Sequence, residues 1–118
     1  MNVSQQRSES MKLLSKKFHY KEGVVKINTH NCFQHELAKF LLCWQLAKEG
    51  KEFVSEAVFS NSNRADVFCL DDKEALEVLH SETLEMFKKK VVEFPCAVFA
   101  YKSDEVLELH GVSLKWKN

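Results

Sequence analysis

Two acids, Asp66 and Glu77, sit in segments otherwise composed like the core of a sheet. Asp66 opens towards the apolar run Val67-Phe68-Cys69-Leu70, and Glu77 interrupts Ala75-Leu76-Val78-Leu79. Asp and Glu are depleted from strands and are seldom buried unless they are paired or bound to a cation. The segment Asp71-Asp72-Lys73 between the two runs has hairpin spacing. In such a hairpin Asp66 lies opposite Glu77 or Val78, and cross-strand neighbours are about 5 Å apart. Either register brings the two carboxylates close, where they repel unless a cation lies between them. Oxygen donors in this number suit Mg²⁺ or Mn²⁺, which bind through a few carboxylates together with substrate phosphates. The chemistry implied is metal-assisted phosphodiester hydrolysis. Glu36 is a third acid that reaches the same place if its helix packs over the sheet.

The elements that would position these groups are readable in outline. Asn31 is an N-cap candidate with Gln34 three residues on, and Phe33, Leu37, Phe40, Leu41 and Trp44 form an apolar stripe ending before Gly50. This predicts a helix whose core face includes Trp44, with Glu36 on its rim. Strands are predicted over 52–59, 65–70 and 74–79, with Asn61-Ser62-Asn63 as the first turn. Ser81 is the expected cap of a second helix, with acids in its first turn, Lys88-Lys89-Lys90 near its end, and Pro95 closing it. The unalternating apolar run 96–101 reads as an interior strand, and 106–109 and 112–116 as edge strands. A strand is also expected at 24–27. Residues 1–11 read as a flexible tail and 12–118 as one domain. The fold class expected is α/β, a mixed central sheet flanked by helices in the order αβββαβ.

With an acid on the first helix, an acid at the start of the second strand and Glu77 in the third, the chain resembles the PD-(D/E)XK, or restriction-endonuclease-like, nuclease superfamily over residues 31–101. The resemblance implies Asp66 and Glu77 as metal ligands, the Val78 carbonyl as a further ligand, and Glu36 as an auxiliary acid supporting metal or water. It also implies a DNA substrate, Mg²⁺ or Mn²⁺ as cofactor, and a homodimer for cutting two strands. Two positions depart from the pattern. Ala65 stands where the motif has Pro, and Leu79 stands where it has the lysine that helps to activate water. Lys39, one turn beyond Glu36, is the first candidate for a displaced lysine, and His80 the second. The other reading is a catalytically inactive module of the same fold that binds nucleic acid or protein.

Composition narrows the remaining classes. The formal net charge is zero, so no overall field draws the protein to nucleic acid, but residues 1–30 carry a local +4 and residues 66–85 a local −6. Cys32, Cys43, Cys69 and Cys96 form no CxxC and read as reduced, buried thiols of a cytoplasmic protein. No apolar run is long enough to span a membrane, and no membrane partner is expected. His30 and His35 lack cysteines at zinc-ligand spacing and read as structural. Trp116 reads as an edge-strand aromatic, with base stacking as the other use of such a ring. There is no Gly-rich phosphate loop and no Ser or Cys nucleophile motif.

Overall fold

A computed structural model of the chain describes residues 1–113. Helix α1 spans Val3–Met11 and α2 Phe33–Lys48. Strands β1 (Phe53–Val58), β2 (Arg64–Cys69) and β3 (Glu74–Leu79) follow. Helix α3 (Leu84–Lys90), strand β4 (Ala97–Lys102) and helix α4 (Ser103–Leu109) complete it. From α2 onward the order is helix, three strands, helix, strand, as the sequence predicts, and the fold is α/β with a mixed four-stranded sheet. The strands lie in the order β1-β2-β3-β4, antiparallel through β3, with β4 parallel to β3. A parallel neighbour needs a crossover, which α3 supplies. Among the described residues, no helix is long and apolar enough to cross a membrane.

The sheet separates two sets of packed side chains. On one side Phe59 and Phe68, both fully buried, meet edge-on with centroids 5.2 Å apart, and Phe94 closes on Phe59 at 5.3 Å. On the other, α2 and α4 place Ala38, Leu41, Cys43, Leu46, Val106 and Leu107 over Val67, Leu76 and Val78. Gly50 ends α2 with φ +73°, the left-handed conformation that glycine adopts without a Cβ penalty.

Several expectations are corrected. Residues 3–11, read as part of a loose tail, form α1, opened by a capping box between Asn2 and Gln5. Its lack of an apolar stripe hid it: α1 docks by polar contacts. Ser10 Oγ donates to the Leu70 carbonyl at 2.7 Å in a buried site, and Arg7 grips Asp71 through two nitrogens at 2.7 and 3.1 Å. Residues 24–27 form no ladder. The Ser55 hydroxyl donates to the Val24 carbonyl and accepts from Lys26 N–H, standing in for a strand partner. The buried face of α2 is rotated from the predicted stripe, so Phe33, Phe40 and Trp44 are exposed while His35 and Lys39 are buried. Its cap is Cys32, whose sulfur accepts from His35 N–H; this thiol is exposed, as Cys43 and Cys69 are not. Thr83, not Ser81, caps α3. Strand β4 is an edge, not interior, and residues 106–109 belong to helix α4. Trp116 and most of the predicted strand 112–116 lie outside the described residues.

The docking of α1 makes a prediction. Ser10→Ala leaves the buried Leu70 carbonyl without its donor and should lower the free energy of unfolding by about 1–2 kcal/mol in urea denaturation at unchanged m. A change within a few tenths of wild type would show that α1 does not hold the sheet.

Candidate active site

The β2–β3 ladder pairs Cys69 with Glu74, Phe68 with Ala75 and Val67 with Leu76. One step further the register sets Asp66 against Glu77, and there the side chains take over from the backbone. Asp66 N–H donates to Glu77 Oε2 at 3.2 Å, and Val78 N–H donates to Asp66 Oδ2 at 2.7 Å. The ladder on the other side of β2 has a gap at the same level. It pairs Ser55 with Val67 and resumes at Ala57 with Ala65, while Glu56 between them has φ +49°. A left-handed glutamate inside a strand is strained. Asp66 therefore sits where the β3 ladder has ended and where β1 pairs with β2 only on either side of it.

Buried like charges at this distance cannot both ionise. Burial, reinforced by the hydrogen bond and charge of Asp66, pushes the Glu77 carboxyl far above its ordinary range, against the pull of Lys90. Burial acts in the same sense on Asp66, but hydrogen bonds from His35, Glu77 and the Val78 amide outweigh it and hold that carboxyl below its ordinary range. The two shifts run in opposite directions: Glu77 holds its proton more tightly than a free glutamate does, and Asp66 gives its own up more readily than a free aspartate. Glu77 Oε1 is buried with no hydrogen-bond partner. The amine of Lys90, from the last turn of α3, faces it across 3.6 Å.

Helix α2 supplies the next layer. His35 is 6% exposed. Its Nε2 lies 3.4 Å from Asp66 Oδ2 and its Nδ1 2.8 Å from Glu36 Oε2. Burial alone would lower its pKa, yet the two carboxylates raise it. Glu36 is enclosed by donors: Asn28 N–H and Lys39 Nζ at 2.6 Å each, Asn31 Nδ2 at 3.2 Å, and the His35 ring. Lys39 is fully buried, and its Nζ also donates to the Lys26 carbonyl at 2.5 Å and lies 3.9 Å from Glu56. Glu56 in turn accepts from Asn28 Nδ2 at 2.9 Å.

The structure therefore brings Asp66 and Glu77 together and joins Glu36 to them through His35. It does not bring a free Glu36 oxygen onto the pair. Lys39 reaches Glu36 but is sealed from solvent, so it cannot meet a substrate. His80, the second candidate, is exposed and bonded to Ser103 Oγ at 2.8 Å. Val78 engages Asp66 through its N–H. Among the described residues, no group of three or more His, Cys, Asp and Glu side chains is arranged to hold a metal ion. Sequence reasoning missed His35 as part of the site, along with Glu56 and Lys90. His35 and Lys39, four apart, mark a polar stripe on the buried face of α2, which is the one signal available. Lys90 was visible only as the end of a lysine run, and nothing in the sequence marks Glu56. No protein-family model, curated protein or solved structure matches the chain.

The Glu77 shift has a sign that can be measured. Above the ordinary glutamate range the folded protein keeps a proton that the unfolded chain has lost, so stability falls as pH rises. His35, also raised, adds loss of the same sign near neutrality. Thermal unfolding followed from pH 5 to pH 9 should show a falling midpoint in the wild type and a clearly shallower fall in Glu77→Gln. A wild-type midpoint that is level or rising over this range would contradict a protonated Glu77.

Proposed function

We propose that the protein is a divalent-metal-dependent nuclease that hydrolyses phosphodiester bonds in DNA, with Asp66 and Glu77 as its metal ligands. The observation that carries this reading is the pair itself: two carboxylates on adjacent strands, each accepting from an N–H of the opposite strand, one of them with a buried oxygen that has no hydrogen-bond partner. A proton held on Glu77 beside the Asp66 carboxylate occupies the place a cation would take between the two acids. Mg²⁺ needs only one or two carboxylates, taking its other ligands from water and substrate phosphates, so two acids suffice. The Val78 carbonyl offers a further oxygen. A divalent ion held there supplies a water of lowered pKa and neutralises charge building on the phosphate.

The remaining residues divide the work. Glu36, with its oxygens occupied, positions His35 against Asp66. Lys39 fixes Glu36 and the 24–31 segment. Lys90 takes the place that Leu79 vacates: its amine lies at the site, its side chain is partly open to solvent, and it comes from α3 rather than β3. Burial pulls this amine down, but the charges of Glu77, ionised once a metal displaces its proton, and of Asp66 and Glu82 outweigh it, so it serves as a cation against the scissile phosphate.

A specific observation favours a second reading, that of a non-catalytic binding module. Leu79 is buried at the motif's lysine position, and His35, Glu36, Lys39 and Glu56 satisfy one another internally. Calorimetric titration with Mn²⁺ separates the two. The nuclease reading expects binding heat that disappears in Asp66→Asn, together with Mn²⁺- or Mg²⁺-dependent cleavage of plasmid or branched DNA. It further expects Lys90→Met to keep the heat and to lose about a hundredfold in cleavage rate. Absence of both heat and cleavage in the wild type would leave the binding module.

A further inference from the structure

Residues of the 18–30 segment, β1 and β2 enclose a cavity of about 390 Å³ whose walls combine aromatic rings with cations. Phe18, Tyr20, Lys26, His30, Glu56 and Arg64 line it. We infer that this cavity binds an unpaired nucleotide of a DNA strand, with Phe18 as the stacking platform and Lys26 and Arg64 as phosphate contacts. The inference rests on the nuclease reading only for its purpose, since it names single-stranded DNA next to the scissile bond as the form of substrate. The binding itself does not require a metal.

Three observations support it. First, Phe18 is half exposed yet held in place, its ring tilted against Tyr20 at 6.3 Å. Tyr20 is itself fixed, its hydroxyl donating to the Val58 carbonyl and one ring face covered by Lys26 Nζ at 5.8 Å. A free aromatic face beside cations is the arrangement that holds single strands, because every base has a π-face and every nucleotide a phosphate. Second, the segment bearing Lys26 is pinned from both sides. Its carbonyl accepts from buried Lys39 and its N–H donates to Ser55, so the wall is built rather than loose. The one acid in the wall, Glu56, already accepts from Asn28 and lies 3.9 Å from Lys39, which offsets its charge. Third, Glu56 ties the cavity to the network around the carboxylate pair, since it lines the wall and lies 3.9 Å from Lys39, which bonds Glu36. Arg64 precedes Asp66 by two residues on β2, about 7 Å along a strand and on the same face. Lys16, Lys17 and Lys21, all exposed, neighbour Phe18 along the chain.

Fluorescence anisotropy with a labelled oligo-dT in EDTA tests this without the metal site. The wild type should bind the oligonucleotide, with affinity falling steeply with salt, and should bind a duplex of equal length and free dTMP at least tenfold more weakly. Phe18→Ala should weaken oligo-dT binding about tenfold while Phe18→Trp retains it, and Arg64→Gln should weaken it and flatten the salt dependence. Because EDTA removes any divalent ion, loss of binding here bears on this cavity alone and leaves the nuclease reading to the Mn²⁺ titration. Oligo-dT binding that is absent, that is unchanged in both Phe18→Ala and Arg64→Gln, or that is no tighter than duplex or free-nucleotide binding would overturn the inference.

Discussion

Two carboxylates inserted between strands where a backbone ladder should continue are the constraint around which this molecule is arranged. Asp66 and Glu77 replace ladder bonds with side-chain bonds, each accepting from an N–H of the opposite strand. That substitution satisfies the amides but leaves two acids at one point in a dry interior, which is unfavourable unless a proton or a cation lies between them. The raised Glu77 carboxyl, the buried His35 against Asp66 and the approach of Lys90 to Glu77 all gather at that one placement. A sheet needing only stability would close the ladder and bury two apolar side chains instead.

The surrounding network distributes this burden over the fold. Glu36 orients His35 towards Asp66, and Lys39 joins Glu36 to the 24–31 segment, which has no ladder of its own. The same buried lysine thus supports both the acid pair and the wall of the aromatic cavity. Replacement of any one partner would leave a charge buried without compensation, a more costly state than either the intact network or an apolar substitute for all of it.

What the sequence discloses follows from which interactions are local. The hairpin spacing 71–73 sets the β2–β3 register, so the proximity of Asp66 and Glu77 was readable, as were Gly50 as the stop of α2 and the αβββαβ order. The exposed stripe of α2 misled because Phe33, Phe40 and Trp44 are more apolar than His35 and Lys39. Periodicity weighs hydrophobicity, whereas the buried face is decided by partners contributed from 24–31, β1 and β2. Helix α1 is hidden for a related reason, since it docks through Ser10, Arg7 and the apolar contact of Met11 rather than an apolar stripe, although its capping box stands in the sequence. Residues 96–101 were read as interior because they are apolar without alternation, yet β4 is an edge with Phe99 and Tyr101 exposed. Glu56 and Lys90 reach the site only through tertiary structure, and no local pattern could assign them.

The protonation state of Glu77 tests the account most directly. Carbon NMR of protein labelled at the glutamate carboxyl, with Glu77→Gln to assign the signal, reads that state without reference to activity. The account predicts one glutamate resonance with the shift of a protonated acid at neutral pH, moving to the carboxylate position when Mg²⁺ is added. Spectra in which every glutamate is already ionised at neutral pH, or in which the protonated signal ignores Mg²⁺, would contradict it.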